Sequence, residues 1–222
     1  SAVRVLILSS GGKDSCYAVW WALLQGWEVV GIVTVRIIGE DSMMFQLPST
    51  ALAGLQAASA GIPWLPVVID GESEVEVDNL QDALRTHVDG EGGEESWSEV
   101  EWSTFWPENW PRPVGLTRLN SLEPIDGLVS GALRSDYQKT RFERMAERLG
   151  VHSFSPLWHN SAHGHMSELV EHDFELMLSS VSADGLTEEW VGRILDATGL
   201  DDLSKVSKRY GFSVDGEGGE FE

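Results

Sequence analysis

Ser10-Gly11-Gly12-Lys13-Asp14-Ser15 gathers in one hexapeptide the groups that hold an anion: glycine backbone, an ammonium, hydroxyls, and a carboxylate that suits a hard cation. Glycine lets a charged ligand approach the main chain, and free N–H groups at a helix start aim the positive end of the helix dipole at it. The flanking residues must build that geometry. Residues 3–8 are short, apolar and branched, which predicts a buried parallel strand. Cys16, Val19, Trp20, Leu23 and Leu24 recur at helical spacing and predict an amphipathic helix stopped at Gly26. Strand, glycine turn and helix N-terminus then converge on one spot. The spacing is not the Walker arrangement, whose first glycine stands further upstream of its Gly-Lys pair.

The rest of the chain supplies a frame for that loop. A second strand is expected over residues 27–35, a small-residue helix over 49–60 ended by Gly61 and Pro63, and a third strand over 64–69. Residues 72–88 mix acids with Val75, Leu80, Leu84 and Val88 and predict a surface helix. A strand over 126–132, a helix over 135–149 with Tyr137, Phe142, Met145 and Leu149 on one stripe, a stop at Gly150 and a strand over 151–157 follow. This alternation predicts an α/β fold, a doubly wound and mostly parallel sheet whose ligand lies at the carboxyl ends of its strands. Beyond it, a helix over 166–172, an alternating strand over 174–182, short helices around 188–197 and 203–210, and a loop over 211–222 predict a small α+β portion. The expected division is residues 1–157, an α/β domain that carries the anion-binding loop, and residues 158–222, a smaller carboxyl-terminal portion.

Residues 89–124 interrupt the rhythm. A glycine- and acid-rich stretch over 89–95 leads to Trp97, Trp102, Trp106 and Trp110, set among acids and Pro107, Pro111 and Pro113, which preclude a long helix. Tryptophans are costly to leave in water, so at least some of them must pack on the parent domain or on a partner.

The hexapeptide is similar to the PP-loop of the N-type ATP pyrophosphatases, and that resemblance implies cleavage of ATP to AMP and pyrophosphate while a second substrate is activated. Within that group, Gly131-Ala132-Leu133-Arg134-Ser135-Asp136-Tyr137-Gln138-Lys139-Thr140-Arg141, then Pro156-Leu157-Trp158, then Glu217-Gly218-Gly219-Glu220 resemble three markers of the diphthine–ammonia ligases. Ser42-Met43-Met44-Phe45 and Asp184-Gly185-Leu186 are weaker matches. The resemblance spans nearly the whole chain outside residues 89–124, with departures at Gln46, Ser49 and His159-Asn160. It implies a PP-loop, HUP-like sheet and the ATP-dependent amidation of the diphthine carboxylate on translation elongation factor 2. Ammonium is the nitrogen source, an acyl-adenylate the intermediate, and AMP and pyrophosphate the products. ATP and Mg²⁺ are the implied cofactors; ammonium and elongation factor 2 carrying diphthine are the implied partners.

Under this reading the backbone of residues 11–14 and the Lys13 ammonium hold pyrophosphate, with Ser10 and Ser15 as added donors. Asp14 helps hold Mg²⁺, its plainer role being a first-turn carboxylate stabilised by the helix dipole. Gly131, Arg134, Ser135 and Gln138 lie where a strand hands over to a helix and face the same edge of the sheet. Arg134 is expected to contact a phosphate or the substrate carboxylate. Glu217 and Glu220 are expected to fold over the site in a glycine-rich tail and bind ammonium or Mg²⁺, or else to form a disordered acidic end. Part of the 89–124 excursion is expected to dock the factor or close over the site, unless its tryptophans are core. His159, His163, His165 and His172 read as a polar loop, since nothing fixes them on one face and no thiolate helps bind zinc.

Composition bounds the alternatives. The net charge is −21, with only four lysines, which argues against nucleic acid as the main partner. Such a surface resembles that of a protein working in high salt, where self-repulsion is screened. Cys16 is the single cysteine, so there is no disulfide framework, and its place on the apolar helix face predicts a buried thiol rather than a nucleophile. No apolar run approaches the ~18 residues of a membrane helix, and the expected location is cytoplasmic. A PP-loop tRNA-modifying enzyme (a thiolase or a lysidine-type ligase) and a non-catalytic ATP-binding module are the alternatives. Thiolation needs a cysteine that carries sulfur, and a tRNA ligand wants a basic surface.

Overall fold

The computed structural model describes residues 1–38, 43–70, 73–88, 97–119, 124–131 and 135–222, with residues 37–38, 43–47, 70, 73–77 and 86–87 described by backbone alone. Two compact units divide the chain, Ser1–Pro156 and Leu157–Glu222.

In the first unit, branched apolar runs form β1 (Arg4–Leu8), β2 (Glu28–Ile38), β3 (Trp64–Asp70), β4 (Gly127–Ser130) and β5 (His152–Phe154). They pair in the order β3-β2-β1-β4-β5, every pair parallel. The connecting helices are α1 (Lys13–Leu24), α2 (Met43–Ala60), α3 (Ser73–Val88), α4 (Glu99–Phe105) and α5 (Asp136–Leu149). Side chains of β1 alternate between two cores, as strand geometry requires. Val5 and Ile7 pack with Ala18, Ala22, Ala51 and Ala57 of α1 and α2. Leu6 packs with Leu84, Phe142 and Met145 of α3 and α5. The sheet is therefore covered on both faces, the doubly wound α/β arrangement expected from the sequence. The chain steps outward from β1 through β2 to β3 and then returns to β4 on the other side of β1. That reversal makes the crevice at the carboxyl ends of β1 and β4 the topological switch point, where such sheets bind ligands.

Several local expectations are corrected. The buried face of α1 is Ser15, Tyr17, Ala18 and Ala22, whereas Leu23 and Leu24 are more than half exposed. Cys16 to Leu24 is almost wholly apolar, so its periodicity has no polar face to set it; the small residues Ala18 and Ala22 let the helix lie close on the sheet. Gly26 does stop α1, at φ +73°: its N–H bonds the Leu23 carbonyl and the Trp27 N–H bonds the Ala22 carbonyl, the Schellman pattern. Helix α2 begins at Met43, not at residue 49, and carries Pro48 inside it. Tyr137 is 62% exposed and stacks under Arg141, so only Phe142, Met145 and Leu149 of the expected stripe are core. The last strand is three residues long, 152–154 rather than 151–157.

The tryptophan-rich excursion turns inward. Trp106 is buried, and Trp97, Trp102 and Trp110 pack against the same core. Trp64 at the start of β3 meets Trp97, Phe105 and Trp106 at ring-centroid distances of 5.7, 6.4 and 6.2 Å. Ser98 caps α4 in a capping box with Glu101, and Arg112 holds Glu99 while lying over the Trp102 ring. These side chains are core of the unit, which removes the reading of the tryptophans as docking anchors. The stretch over 89–95 lies outside the described residues.

The second unit has α6 (Ala162–Glu171) and α7 (Ala197–Tyr210), with a 3₁₀ turn at Glu188–Trp190 in place of the helix expected over 188–197. Residues 174–182 do not form a strand; they make two isolated antiparallel bridges, Met177 with Ile194 and Val181 with Phe221. Alternation alone does not make a strand where each neighbouring segment stays in register for only a single bridge. Met166, Leu169, Leu178, Leu203, Val214 and Phe221 are among its buried apolar residues. No helix among the described residues is long and apolar enough to cross a membrane.

Candidate functional site

The hexapeptide lies between β1 and α1, at the carboxyl edge of the sheet. Leu8 pairs with Val33 on one side and Ser130 on the other, so the loop leaves the sheet at its centre. Gly11 adopts φ +83°, and a Cβ there would lie 2.7 Å from the Ser49 carbonyl oxygen and 3.2 Å from the Ala53 nitrogen. Only glycine fits under α2 in that conformation. Gly12 is the N-cap of α1 and offers no side-chain cap. Its N–H has no acceptor among the described residues.

Two serine hydroxyls build the loop from within. The Ser10 N–H donates to Ser15 Oγ at 3.0 Å, and the Gly11 N–H donates to Ser9 Oγ at 3.1 Å. Ser9 and Ser15 are both buried. Ser15 is therefore an internal strut more than an outward donor, and the Gly11 N–H, expected to face a phosphate, is already bonded. Lys13 Nζ lies 3.0 Å from Asp14 Oδ1, each side chain about one-fifth exposed. An ammonium and a carboxylate thus stand together at the positive end of α1.

Gly131 joins the β4 side to this loop. A Cβ on it would meet the Asp14 carbonyl oxygen at 2.7 Å, the Asp14 carbonyl carbon at 2.8 Å and the Ser15 nitrogen at 3.1 Å. The end of β4 therefore lies flat on the first turn of α1. Ser135 is the N-cap of α5, its hydroxyl accepting from the Gln138 N–H at 3.2 Å, and both residues are exposed. Its side chain is engaged in capping, so the second expected cradle is itself a helix N-terminus. Ala132, Leu133 and Arg134 lie outside the described residues, as does Ser42.

Cys16 is partly buried and lines a cavity of ≈ 170 Å³ with Ser9, Ser15, Val19, Ile32 and Gln56. Burial, and after it the Asp14 carboxylate, pushes the thiol above its usual range. At neutral pH the group is a thiol, which is a poor nucleophile. Gln56 escapes sequence reasoning altogether. Its Nε2 donates to the Gly11 carbonyl at 2.9 Å, from 45 residues away, and nothing local distinguishes it from any polar residue on a helix. Ser9 had a visible signal, a hydroxyl between an apolar strand and a glycine turn.

The tail carrying Glu217 and Glu220 is hydrogen-bonded within its own unit, which does not fit the alternative of a disordered acidic end. Ser182 Oγ donates to the Gly219 carbonyl at 2.8 Å, and the Ser182 and Ala183 N–H groups donate to the Glu220 carbonyl at 2.9 and 3.1 Å. The Glu220 carboxylate accepts from the Gly218 N–H at 2.9 Å, and the Glu217 N–H donates to Asp215 Oδ1 at 3.1 Å. The histidines are not a loop: His163 and His165 lie within α6, His172 is its C-cap, and His159 has φ +68°. Among the described residues no three His, Cys, Asp or Glu side chains converge as a metal cage.

Comparison with known proteins bears on both units. Residues 3–94 match the diphthamide synthase N-terminal domain, and residues 161–222 match the diphthamide synthase C-terminal domain. A Homo sapiens protein named diphthine–ammonia ligase is 29% identical over 228 residues, covering 99% of this chain and 77% of that protein. A Danio rerio protein of the same name is 29% identical over 227 residues, covering 99% of this chain and 80% of its own length. A solved structure described as a predicted subunit of tRNA methyltransferase from Methanocaldococcus jannaschii covers 96% of this chain at 15% identity. Its TM-score of 0.37 is too low to carry an inference. With the N-terminal and C-terminal domains of one family matched in order along its length, this chain belongs to the diphthamide synthase family.

Proposed function

We propose that this protein is an ATP-dependent diphthine–ammonia ligase that amidates the diphthine carboxylate of translation elongation factor 2. The observation that carries the reading is the contact of Gly131 with the backbone of Asp14 and Ser15. It brings the start of the 131–141 motif onto the glycine loop at the switch point, where an ATP phosphate chain and a carboxylate could meet.

A carboxylate does not react with ammonia at neutral pH until one of its oxygens becomes part of a good leaving group. In the proposed first step a diphthine carboxylate oxygen bonds the α-phosphorus, and the bond from that phosphorus to pyrophosphate breaks. In the second, ammonia bonds the acyl carbon, the bond to AMP breaks with its electron pair, and the nitrogen loses a proton. The Gly12 N–H, the head of α1 and Lys13 would stabilise charge gathering on the departing pyrophosphate. The first-turn carboxylate of Asp14 suits Mg²⁺, a hard cation that takes one or two protein carboxylates and completes its shell with phosphate oxygens and water. Bound there, Mg²⁺ would neutralise phosphate charge; Lys13, released from Asp14, would be free to turn toward the pyrophosphate. Gly131 and the capped start of α5 would form the wall nearest the substrate carboxylate; the role assigned to Arg134 is contact with a phosphate or that carboxylate, and the role assigned to Glu217 and Glu220 is binding of ammonium or Mg²⁺. The thiolase alternative is disfavoured by a Cys16 thiol that burial keeps protonated.

The test is incubation with elongation factor 2 carrying diphthine, ATP, Mg²⁺ and ammonium. AMP is expected in a one-to-one ratio with amide, read by mass spectrometry of the factor. AMP formation with tRNA and none with the factor would overturn the reading in favour of a tRNA-modifying enzyme. Absence of ATP–pyrophosphate exchange under every substrate would leave a nucleotide-binding module.

A further inference from the structure

We propose that Gln56 is a positioning residue of the glycine loop, holding the Gly11–Gly12 peptide so that the Gly12 N–H faces the pyrophosphate moiety of a nucleotide. The inference rests on the phosphate-loop reading and goes beyond it, because Gln56 belongs to α2 and to none of the motifs.

The argument starts from the peptide unit. Gly11–Gly12 is trans, and a trans peptide points its carbonyl and its N–H in opposite directions. The Gly11 carbonyl accepts from Gln56 Nε2 at 2.9 Å, which draws it toward α2. The Gly12 N–H is thereby turned away from α2, and it has no acceptor among the described residues. A carbonyl can be faced only by the NH₂ end of a glutamine amide, so the amide orientation is fixed by its partner.

The peptide needs such a tie. A glycine on each side removes the Cβ that would otherwise resist rotation of the peptide plane. In the rotated state the Gly11 carbonyl would face the anion and repel it. The neighbouring N–H groups of Ser10 and Gly11 are held by Ser15 Oγ and Ser9 Oγ. No hydroxyl among the described residues bonds the next peptide, and the partner of its carbonyl comes instead from across the fold. The contact of Gly11 with the Ser49 carbonyl and Ala53 nitrogen fixes where α2 lies, so the Gln56 side chain reaches the carbonyl from a settled position. The side chain also walls the small cavity with Cys16, Val19 and Ile32, so a leucine of similar length has apolar neighbours to meet.

The experiment compares wild type, Gln56→Leu and Gln56→Glu, with inorganic pyrophosphate and ATP as probes, at steps between pH 5.5 and 8. Isothermal titration gives the dissociation constants, and the Gly12 amide resonance of ¹⁵N-labelled protein reports the peptide itself. Removing a single neutral hydrogen bond corresponds to roughly a two- to tenfold effect. Gln56→Leu is expected to weaken both probes by about that factor at every pH and to move the Gly12 resonance without ligand. Gln56→Glu is expected to be weaker still at pH 8, where its carboxylate repels the carbonyl and the anion. Equal affinities in all three proteins or an unmoved Gly12 resonance would each overturn the proposal. A wild type that binds neither probe would overturn the phosphate-loop reading and this proposal with it; binding by wild type and variants alike overturns this proposal alone.

Discussion

Gly131→Ala probes the junction between the two halves of the candidate site. The new methyl carbon would stand 2.7 Å from the Asp14 carbonyl oxygen and 2.8 Å from its carbon. Ordinary contact begins near 3.4 Å, so about 0.7 Å of movement is required. Both atoms are backbone at the head of α1, so no rotamer change relieves the clash; either that helix turn or the end of β4 must shift. Overpacking of this kind costs ~1–3 kcal/mol, and at about 2–4 °C per kcal/mol for a domain of this size the melting temperature should fall by roughly 2–12 °C. Displacing reacting groups by ~1 Å costs on the order of 100-fold in rate, so ATP-dependent AMP formation should drop by about 10- to 100-fold at temperatures where the variant is folded. Gly150→Ala is the control. It sits at φ +71° with open space around its missing Cβ, and should cost ~1 kcal/mol through backbone strain while sparing turnover. A folded Gly131→Ala with wild-type turnover would refute the coupling of β4 to the loop, and one with wild-type melting as well would refute the contact.

Lys13→Ala should lower pyrophosphate release by on the order of 10²–10³-fold in a steady-state assay, with little change in melting, because the ammonium pairs with a neighbouring carboxylate and anchors no core. Trp106→Ala should cost ~3–5 kcal/mol, read by chemical denaturation, since the ring is buried against Trp64; a loss under 1 kcal/mol would return the tryptophans to the surface. Cys16 should be alkylated by iodoacetamide more slowly than a small thiol at neutral pH, because a raised thiol pKa leaves less thiolate there. Its rate should climb only as pH rises past the usual thiol range, and labelling at pH 7 as fast as that of glutathione would contradict the raised value.

What the sequence made legible was whatever is local. The strands could be read because their residues are branched, apolar and bounded by Gly26, Gly61 and Gly150, which stand at positive φ where those turns demand it. The loop could be read because glycine, lysine and aspartate sit in one short window. The buried face of α1 could not, since a helix apolar nearly all round has no contrast for periodicity to detect. Residues 174–182 alternate as a strand would, yet pairing depends on a partner, and only Met177 and Val181 find one, each by a single bridge. Gln56 and the Gly131 contact were invisible for the same reason. Each is a meeting of residues far apart in the chain, set by how α2 and β4 lie against the head of α1.

The loop's hydrogen bonds explain why this short segment carries so many small polar residues. Four consecutive peptides leave the sheet after Leu8, and none of their N–H groups can be left dry and unpaired without cost. The Ser9 N–H returns to the Val33 carbonyl, the Ser10 N–H goes to Ser15 Oγ and the Gly11 N–H goes to Ser9 Oγ. Two of the three bonds are made by hydroxyls of the loop itself, so Ser9 and Ser15 act first as builders of its curvature. The Gly12 N–H is the first without an acceptor among the described residues, and it comes where α1 begins and its dipole is positive. Serine hydroxyls take the two loop N–H groups of Ser10 and Gly11, and the glycine at the helix start leaves the next one for a ligand. That division separates this hexapeptide from a helix start that is merely rich in glycine.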